Sequence, residues 1–245
     1  IARLVNRRFV TIAAAPGAEV TFSSLRMAGA SHFLLRGITI TAPSRREDSR
    51  YLVDTVGLHI AVRADNIVFD DVSFAGGTSI ADTSPADFAA IAPSGLRLSG
   101  DCISVTGSRF SNLHTAATLY RARDARFESN TIRDFSVDGV QFSGQRIAIR
   151  RNLVVDNWPT GDALHPDCMQ GQPPDDIEFG PVMIEGNVCI ARTSGELLPN
   201  SGWQGIAIFD GRWRDVTVRC NLVAPNSRHG IALYGVDGQL VEHNM

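Results

Sequence analysis

The sequence predicts an all-β solenoid, a single domain of stacked strand-turn-strand units, and two observations predict it. The first is a short motif that recurs along the chain: a small residue, an apolar residue, a variable residue and a second apolar residue. The second is a series of polar residues, mostly asparagines, that recurs out of phase with the motif. Almost no helical periodicity accompanies them. One such unit cannot bury its inner face alone, whereas stacked units bury a continuous core.

The motif begins at seven places, and the separations between successive copies are 38, 21, 23, 29, 37 and 25 residues. A basic unit, or rung, of about 21–25 residues with occasional insertions fits these separations. The copies are Gly57-Leu58-His59-Ile60, Gly95-Leu96-Arg97-Leu98, Ala116-Ala117-Thr118-Leu119, Gly139-Val140-Gln141-Phe142, Cys168-Met169-Gln170-Gly171, Gly205-Ile206-Ala207-Ile208 and Gly230-Ile231-Ala232-Leu233.

The polar series predicts a bend that is repeated in every unit. Asparagine tolerates left-handed backbone at a bend, and stacked asparagine side chains can hydrogen-bond along a ladder. The predicted Asn ladder comprises Ser108, Asn130, Asn152, Asn187, Asn221 and Asn244.

Earlier parts of the chain fit the same scheme. Alternating or apolar runs predict strands at Phe9–Ile12, Val20–Phe22, Phe33–Ile40 and Ile67–Phe74. Two segments break the rhythm and are predicted to be loops, the second with a short helix: Pro43–Val56 and Thr78–Ser94.

These features resemble the right-handed parallel β-helix of the pectate-lyase-like superfamily, from roughly Val5 to Met245. The resemblance implies one β-helix domain over residues 1–245 and a protein that acts on polysaccharides outside the cytoplasm. The last unit stops in mid-rung at Met245, so we expect a longer parent chain or a partner that covers the exposed sheet edge.

Composition excludes several classes of protein. The net charge of −3 and the pI near 6.1 give no basic footprint for nucleic acid. All 23 basic residues are arginines, which excludes a catalytic lysine. No apolar run approaches the roughly 18 residues of a membrane span. The chain opens on Ile1, so a leader could have been removed.

The four cysteines lack CxxC spacing, and at least three are expected to be small buried hydrophobes.

Strand alternation places the variable residue of each motif on the outer surface. That column comprises His59, Arg97, Thr118, Gln141, Gln170, Ala207 and Ala232. The position before each motif, at the bend that enters the strand, is occupied by Val56, Ser94, Thr115, Asp138, Asp167, Gln204 and His229. Since parallel strands stack at about 4.8 Å, Asp138 and Asp167 should be neighbours that share a proton or bind a cation.

Dense polar chemistry surrounds Asp167. The stretch Thr160–Gly171 also contains Asp162, His165, Cys168 and Gln170. Extra residues at Asp156–Asp162, Gln172–Pro181 and Thr193–Trp203 should raise walls beside it and leave a cleft. Trp158 and Trp203 could stack on sugar rings there or could simply pack. Arg97, Gln141, Gln170 and Gln204 are the other candidate substrate-binding residues.

Three strand entries resemble those of polygalacturonase-type glycoside hydrolases: Val137-Asp138-Gly139, Pro166-Asp167-Cys168 and Arg228-His229-Gly230. The resemblance implies that Asp138 and Asp167 act as general acid and base on a glycosidic bond. Pro166 stands where those enzymes have an aspartate, and one additional unit precedes His229. The missing aspartate, together with candidate base residues that cluster with possible Ca²⁺ ligands, favours a different reaction.

That reaction is β-elimination on a uronic-acid polymer, which many members of the superfamily perform. Asp138 and Asp167, with oxygens from Gln141 and Gln170, could bind Ca²⁺ that neutralises the uronate. The C5 proton could be taken by His165, which we expect to lie beside Asp167, or by His229 or Arg228. Tyr234 could return a proton to the leaving oxygen.

The sequence therefore favours a secreted or periplasmic polysaccharide lyase that uses no organic cofactor. A glycoside hydrolase, a mannuronan-type C5-epimerase and a non-catalytic glycan-binding or tailspike-like β-helix remain open, as does the choice between monomer and trimer. The expected partner is a polysaccharide, not nucleic acid or a membrane.

Overall fold

The protein is described by a computed structural model that covers residues 1, 3–42, 51–56, 63–159, 165–173, 177–193, 195 and 202–245. Helix is confined, within these residues, to α1 (Pro85–Ile91) and a 3-10 turn at Ile80–Asp82. The strands are β1 (Val5–Ala13), β2 (Thr21–Phe22), β3 (Leu25–Arg26), β4 (Ser31–Arg36), β5 (Thr39–Ala42), β6 (Tyr51–Asp54), β7 (Asp65–Asp70), β8 (Ser73–Gly76), β9 (Ser94–Leu98), β10 (Ile103–Thr106), β11 (Arg109–Leu113), β12 (Ala117–Glu128), β13 (Thr131–Phe135), β14 (Val140–Arg150), β15 (Leu153–Asn157), β16 (Asp167–Gly171), β17 (Glu178–Phe179), β18 (Val182–Glu185), β19 (Val188–Ile190), β20 (Gln204–Ile208), β21 (Arg212–Arg219), β22 (Leu222–Ala224), β23 (Ile231–Leu233) and β24 (Val236–Glu242).

These strands form three parallel faces that wind around one core. Face A contains β3, β6, β9, the starts of β12 and β14, β16, β20 and β23. Face B contains β1, β4, β7, β10, the ends of β12 and β14, and β17, β18, β21 and β24. Face C contains β2, β5, β8, β11, β13, β15, β19 and β22. The predicted parallel solenoid is confirmed.

The alignment of the predicted outward column of face A is also confirmed by the strand register, although Thr118, Ala207 and Ala232 are buried rather than exposed. Arg97 pairs with Thr118, Thr118 with Gln141, Gln141 with Gln170, and Gln170 with Ala207, which pairs with Ala232. Alternate residues on the same strands point inward and form the core.

The first member of that column was assigned wrongly. His59 lies outside the described residues, and Asp54 of β6 is the residue that pairs with Arg97. The strand β6 falls within Pro43–Val56, which the sequence predicted to be a loop. Its side chains are all buried, because Leu52 and Val53 enter the core and Asp54 bonds to Arg97. The segment lacks the small first residue of the motif, which is why the pattern did not identify it.

The second predicted interruption, Thr78–Ser94, contains the expected short helix. Ser84 caps α1: its hydroxyl oxygen accepts from the Asp87 backbone N–H at 3.2 Å and donates to the Asp87 carboxylate at 2.7 Å. Phe88 is fully buried under this helix, beside Ile80 and Trp158. The insertion therefore packs on the solenoid through a small apolar cluster of its own.

The Asn ladder runs along the bend between faces B and C. From Asn130 to Asn221, each ladder amide donates from Nδ2 to the Oδ1 of the next asparagine and to a backbone carbonyl, as Asn130 does to Asn152 (3.0 Å) and to Val105 (3.1 Å). Its own Oδ1 accepts from the backbone N–H of the previous ladder residue. The left-handed backbone lies one residue earlier than expected, at Ser129, Arg151 and Cys220, for example. The amides therefore satisfy buried backbone groups at every bend.

The cysteines depart from the prediction. Cys168 on β16 and Cys189 on β19 form a disulfide that links face A to face C. Both are fully buried, and their separation of 21 residues is close to one rung. Cys102 and Cys220 are free and exposed, so neither is the small buried hydrophobe that the sequence suggested.

Candidate functional site

The candidate site is a groove on the outer surface of face A, at the end where β16, β20 and β23 lie. Its volume is about 530 Å³, within the usual range for ligand pockets. The lining includes five of the predicted site residues, His165, Gln170, Gln204, Arg228 and His229, together with Phe209 and Asp210. These positions come from successive rungs, so the solenoid stacks residues that are far apart in sequence.

His229 is oriented by its neighbour on the preceding rung. Its Nδ1 lies 2.9 Å from Oε1 of Gln204, whose side chain is buried. An amide oxygen can only accept, so Nδ1 is the donor of this hydrogen bond, and in the neutral form of the ring Nε2 keeps its lone pair. His229 is half-buried, and Nε2 is thus available as a base at the groove surface.

Phe209 lines this groove and joins two other rings. Phe209 packs against the His229 ring, with centroids 5.3 Å apart, and stacks on Tyr234 at 5.4 Å. Tyr234 is 55% exposed. The sequence did not indicate Phe209, although a signal existed: an aromatic residue directly follows the motif strand at Tyr120, Phe209 and Tyr234.

The predicted carboxylate pair is formed, but it is buried. The Oδ1 atom of Asp138 accepts from the Asp167 backbone N–H at 2.8 Å, and its Oδ2 accepts from Gln141 Nε2 at 2.6 Å. Asp138 is 1% exposed and Asp167 is 0% exposed. Neither carboxylate oxygen of Asp167 finds a hydrogen-bond partner in the described part of the chain. Direct contact with a substrate is therefore not available to either residue in this conformation.

Burial dominates the electrostatics of the pair. It raises the pKa of Asp138 to about 6, against the lowering effect of the two hydrogen bonds. Burial also raises the pKa of Asp167 to about 8, and the negative charge of Asp138 adds to that shift. Asp167 is thus the member of the pair that holds the proton near neutral pH.

We expect this pair to make the stability of the protein fall as the pH rises. Both folded-state pKa values lie above the ordinary aspartate value of about 3.9, so the folded protein binds more protons than the unfolded chain between about pH 4 and pH 8. The stabilisation is complete below pH 4 and is lost as the pH passes 6 and then 8. Urea unfolding at a series of pH values measures it.

The variant Asp167→Asn should remove most of the decline between about pH 6 and pH 8, because asparagine does not titrate. The matched control is Asp124→Asn, since the exposed Asp124 titrates well below this window and Arg146 lowers its pKa further. Equal pH dependence in the wild type and Asp167→Asn would contradict the assignment.

Several predicted site residues lie elsewhere or in other environments. His165 is exposed on the groove while Asp167 is buried, and no contact joins the two, so the predicted imidazole-carboxylate pair is not formed. Trp203 is fully buried and cannot stack on a sugar, because its ring belongs to the core. Trp158 is partly buried, and Arg192 covers its ring at 3.6 Å.

Arg97 and Gln141 line a smaller groove of about 280 Å³ further along face A, with Tyr51, Tyr120 and Gln172. The Arg97 guanidinium makes two hydrogen bonds to the buried Asp54, at 2.6 and 3.1 Å, and lies 4.8 Å from the Tyr51 ring. Its charge is therefore already compensated. The two grooves are adjacent, because Gln141 pairs with Gln170.

Several predicted features fall outside the described residues. They are Asp162 with the beginning of the stretch Thr160–Gly171, the central parts of the insertions at Gln172–Pro181 and Thr193–Trp203, and the end of the insertion at Asp156–Asp162. In the residues that are described, no group of three or more His, Cys, Asp or Glu side chains could hold a metal ion. None of their helices is long and apolar enough to cross a membrane.

Comparison with known proteins identifies the fold. No family model matches the sequence, and no curated protein matches it either. Among solved structures, PfbA, a surface adhesin of Streptococcus pneumoniae, has 12% sequence identity and a TM-score of 0.59 over 89% of this chain. This chain spans 55% of that structure.

Two other structures are more distant. The Dettilon tailspike protein gp208 has 14% identity and a TM-score of 0.37, over 97% of this chain and 58% of its own. The A-module of the mannuronan C-5 epimerase AlgE6 of Azotobacter vinelandii has 12% identity and a TM-score of 0.31, over 98% of this chain and 90% of the module. The chain therefore has the right-handed parallel β-helix fold that the sequence predicted.

Proposed function

We propose that this protein processes an acidic polysaccharide in the face A groove, with His229 as the base that removes a proton from a uronic-acid unit. The observation that carries the proposal is the 2.9 Å hydrogen bond between His229 Nδ1 and Gln204 Oε1, which makes Nε2 the nitrogen that holds the lone pair when the ring is neutral. A positioned neutral imidazole is the group best suited to take a proton near neutral pH.

The neighbouring side chains suit the rest of a β-elimination. Arg228 is exposed on the same groove and would pair with the uronate carboxylate, which makes the C5 proton more acidic. His229 Nε2 takes that proton, a C4–C5 double bond forms and the C4–O bond breaks. The leaving oxygen takes a proton from Tyr234, whose ring stacks on Phe209 beside His229.

The hydrolase alternative has less support. An inverting or retaining glycosidase needs two carboxyl groups that flank the bond and contact the sugar or a water. Asp138 and Asp167 are adjacent and buried, and Asp138 already accepts two hydrogen bonds. We assign the pair a role in holding the bends of β14 and β16 under the groove.

Calcium at these aspartates fits the arrangement poorly. Ca²⁺ takes six to eight oxygen ligands, whereas both Asp138 oxygens are occupied and Gln141 presents its nitrogen to Asp138. No step is therefore assigned to calcium.

A second candidate is glycan binding without turnover, and it would suit a tailspike-like or adhesive protein. The observation in its favour is that, among the residues the structure describes, the groove has no accessible carboxylate pair and one base held by a hydrogen bond. Trimerisation in solution would also favour it. Both candidates imply a secreted or periplasmic protein, and the buried Cys168–Cys189 disulfide supports an oxidising compartment.

The deciding experiment incubates the wild-type protein with acidic and neutral polysaccharides, with and without EDTA. We expect absorbance near 235 nm to rise with a uronic-acid polymer and to be insensitive to EDTA. New reducing ends without that absorbance would indicate a hydrolase instead. Deuterium incorporation at C5 without cleavage would indicate an epimerase. Binding with neither product would leave the non-catalytic protein.

A further inference from the structure

A second groove, of about 590 Å³, lies on face B and is separate from the proposed active site. Arg126, on the second half of β12, forms the centre of its floor. The register places Ser104 of β10 and Ala148 of β14 directly beside Arg126 on the two neighbouring strands. Because both neighbours are small, the exposed arginine has open space on either side along the solenoid axis.

The charges around Arg126 are already paired with one another. Asp124, two residues before it, accepts two hydrogen bonds from Arg146, at 2.6 and 2.8 Å. Glu128, two residues after it, lies 3.1 Å from Arg151 and 3.8 Å from Arg150. Both flanking carboxylates are therefore engaged by other arginines.

Arg126 itself has no such partner. No hydrogen bond or ion pair joins its guanidinium to any side chain that the structure describes. An exposed guanidinium presents a planar array of donors that matches a carboxylate in two parallel hydrogen bonds. The Ser104 hydroxyl beside it can donate or accept, as a sugar hydroxyl requires.

We propose that this groove on face B is a second binding site for a carboxylate-bearing oligosaccharide, held by Arg126. The site is independent of the catalytic proposal, because it lies on a different face and uses no residue of the face A groove. Its function is to hold an acidic chain along the solenoid axis, and screening by salt should weaken it.

Two free thiols provide a local test of occupancy. Cys102 lines the groove, whereas Cys220 lies at the bend after β21 and outside the groove; both are exposed. A bound oligosaccharide should shield Cys102 from a maleimide reagent and leave Cys220 unaffected. The experiment measures both labelling rates by peptide mass spectrometry in the full chain carrying His229→Gln, so that the probe is not consumed.

The probe is a uronic-acid hexasaccharide, and a neutral maltohexaose of the same length is its control. With the acidic probe at ten times its dissociation constant, we expect the labelling of Cys102 to slow about tenfold by mass action. Arg126→Gln should raise the dissociation constant about tenfold, the typical effect of losing a charge-assisted pair. Arg126→Lys, which keeps the charge and loses the planar fork, should be intermediate.

The matched control is Arg8→Gln on β1, an exposed arginine on the same face and four strand spacings away, about 19 Å. It should leave the protection of Cys102 unchanged. Equal protection by the neutral sugar, equal protection of Cys220, or an unchanged dissociation constant in Arg126→Gln would each overturn the proposal. None of these outcomes depends on whether face A cleaves the polymer.

Discussion

Replacing His229 with glutamine should lower the turnover of a uronic-acid polymer by about 10²–10⁴-fold, the usual contribution of a general base. Glutamine keeps a polar side chain of similar size but cannot take a proton at neutral pH. The affinity for the polymer should change little, because Arg228 and Phe209 remain in the groove. Initial rates at 235 nm and calorimetric binding measure the two quantities separately.

The control for this variant is His243→Gln, which removes an exposed histidine at the bend after β24, outside the groove residues. It should retain full activity. A loss below threefold in His229→Gln would remove the histidine from the reaction and would require another residue as the base.

The orientation of His229 can be examined through Gln204. In Gln204→Glu the carboxylate favours the charged imidazolium, so the acid limb of the pH–rate profile should move to higher pH. A residue that served only the packing of β20 would lower the rate without moving that limb.

Asn152→Ala should lower the free energy of unfolding by about 3–5 kcal/mol, the sum of several buried groups left without partners. The Asn152 Oδ1 accepts from both the backbone N–H and the Nδ2 of Asn130, and its Nδ2 donates to Phe127 O and Asn187 Oδ1. Alanine satisfies none of these groups, and the site is too deeply buried for water to replace them. Urea titration followed by circular dichroism measures the loss.

Asn244→Ala is the matched control at the end of the same ladder. Asn244 accepts the same two hydrogen bonds from its neighbour and donates to the Val218 carbonyl, but it is only half-buried, so water can reach the freed groups. We expect a loss of about 1 kcal/mol. Equal losses at the two positions would mean that burial does not determine the contribution of the ladder.

The sequence predicted well the features that depend on periodicity. The outer column from Arg97 to Ala232 has the predicted register, and each predicted ladder residue from Ser108 to Asn244 is in the ladder. Both follow from a repeat in which each unit contacts only its neighbours.

The sequence predicted poorly the features that depend on how closely neighbouring rungs and faces pack against each other. Asp138 and Asp167 were placed at the correct bend, but their burial depends on how closely the neighbouring bends pack. A side-chain Cβ at Gly139 would come within 2.6 Å of the Cys168 carbonyl oxygen, so the two bends approach closely enough to exclude solvent. Trp203 and the cysteine pair were missed for a similar reason, because a one-dimensional pattern does not give the distance between faces.

The Cys168–Cys189 disulfide also determines the consequence of a proteolytic cut between the two cysteines. The bond closes residues 168–189 into a covalent ring that includes parts of all three faces. A protease that cut once inside the ring would open it without releasing either half of the protein. The halves would separate only in the presence of a reductant, so the proposed active site would remain joined to the first rungs of the solenoid after such a cut.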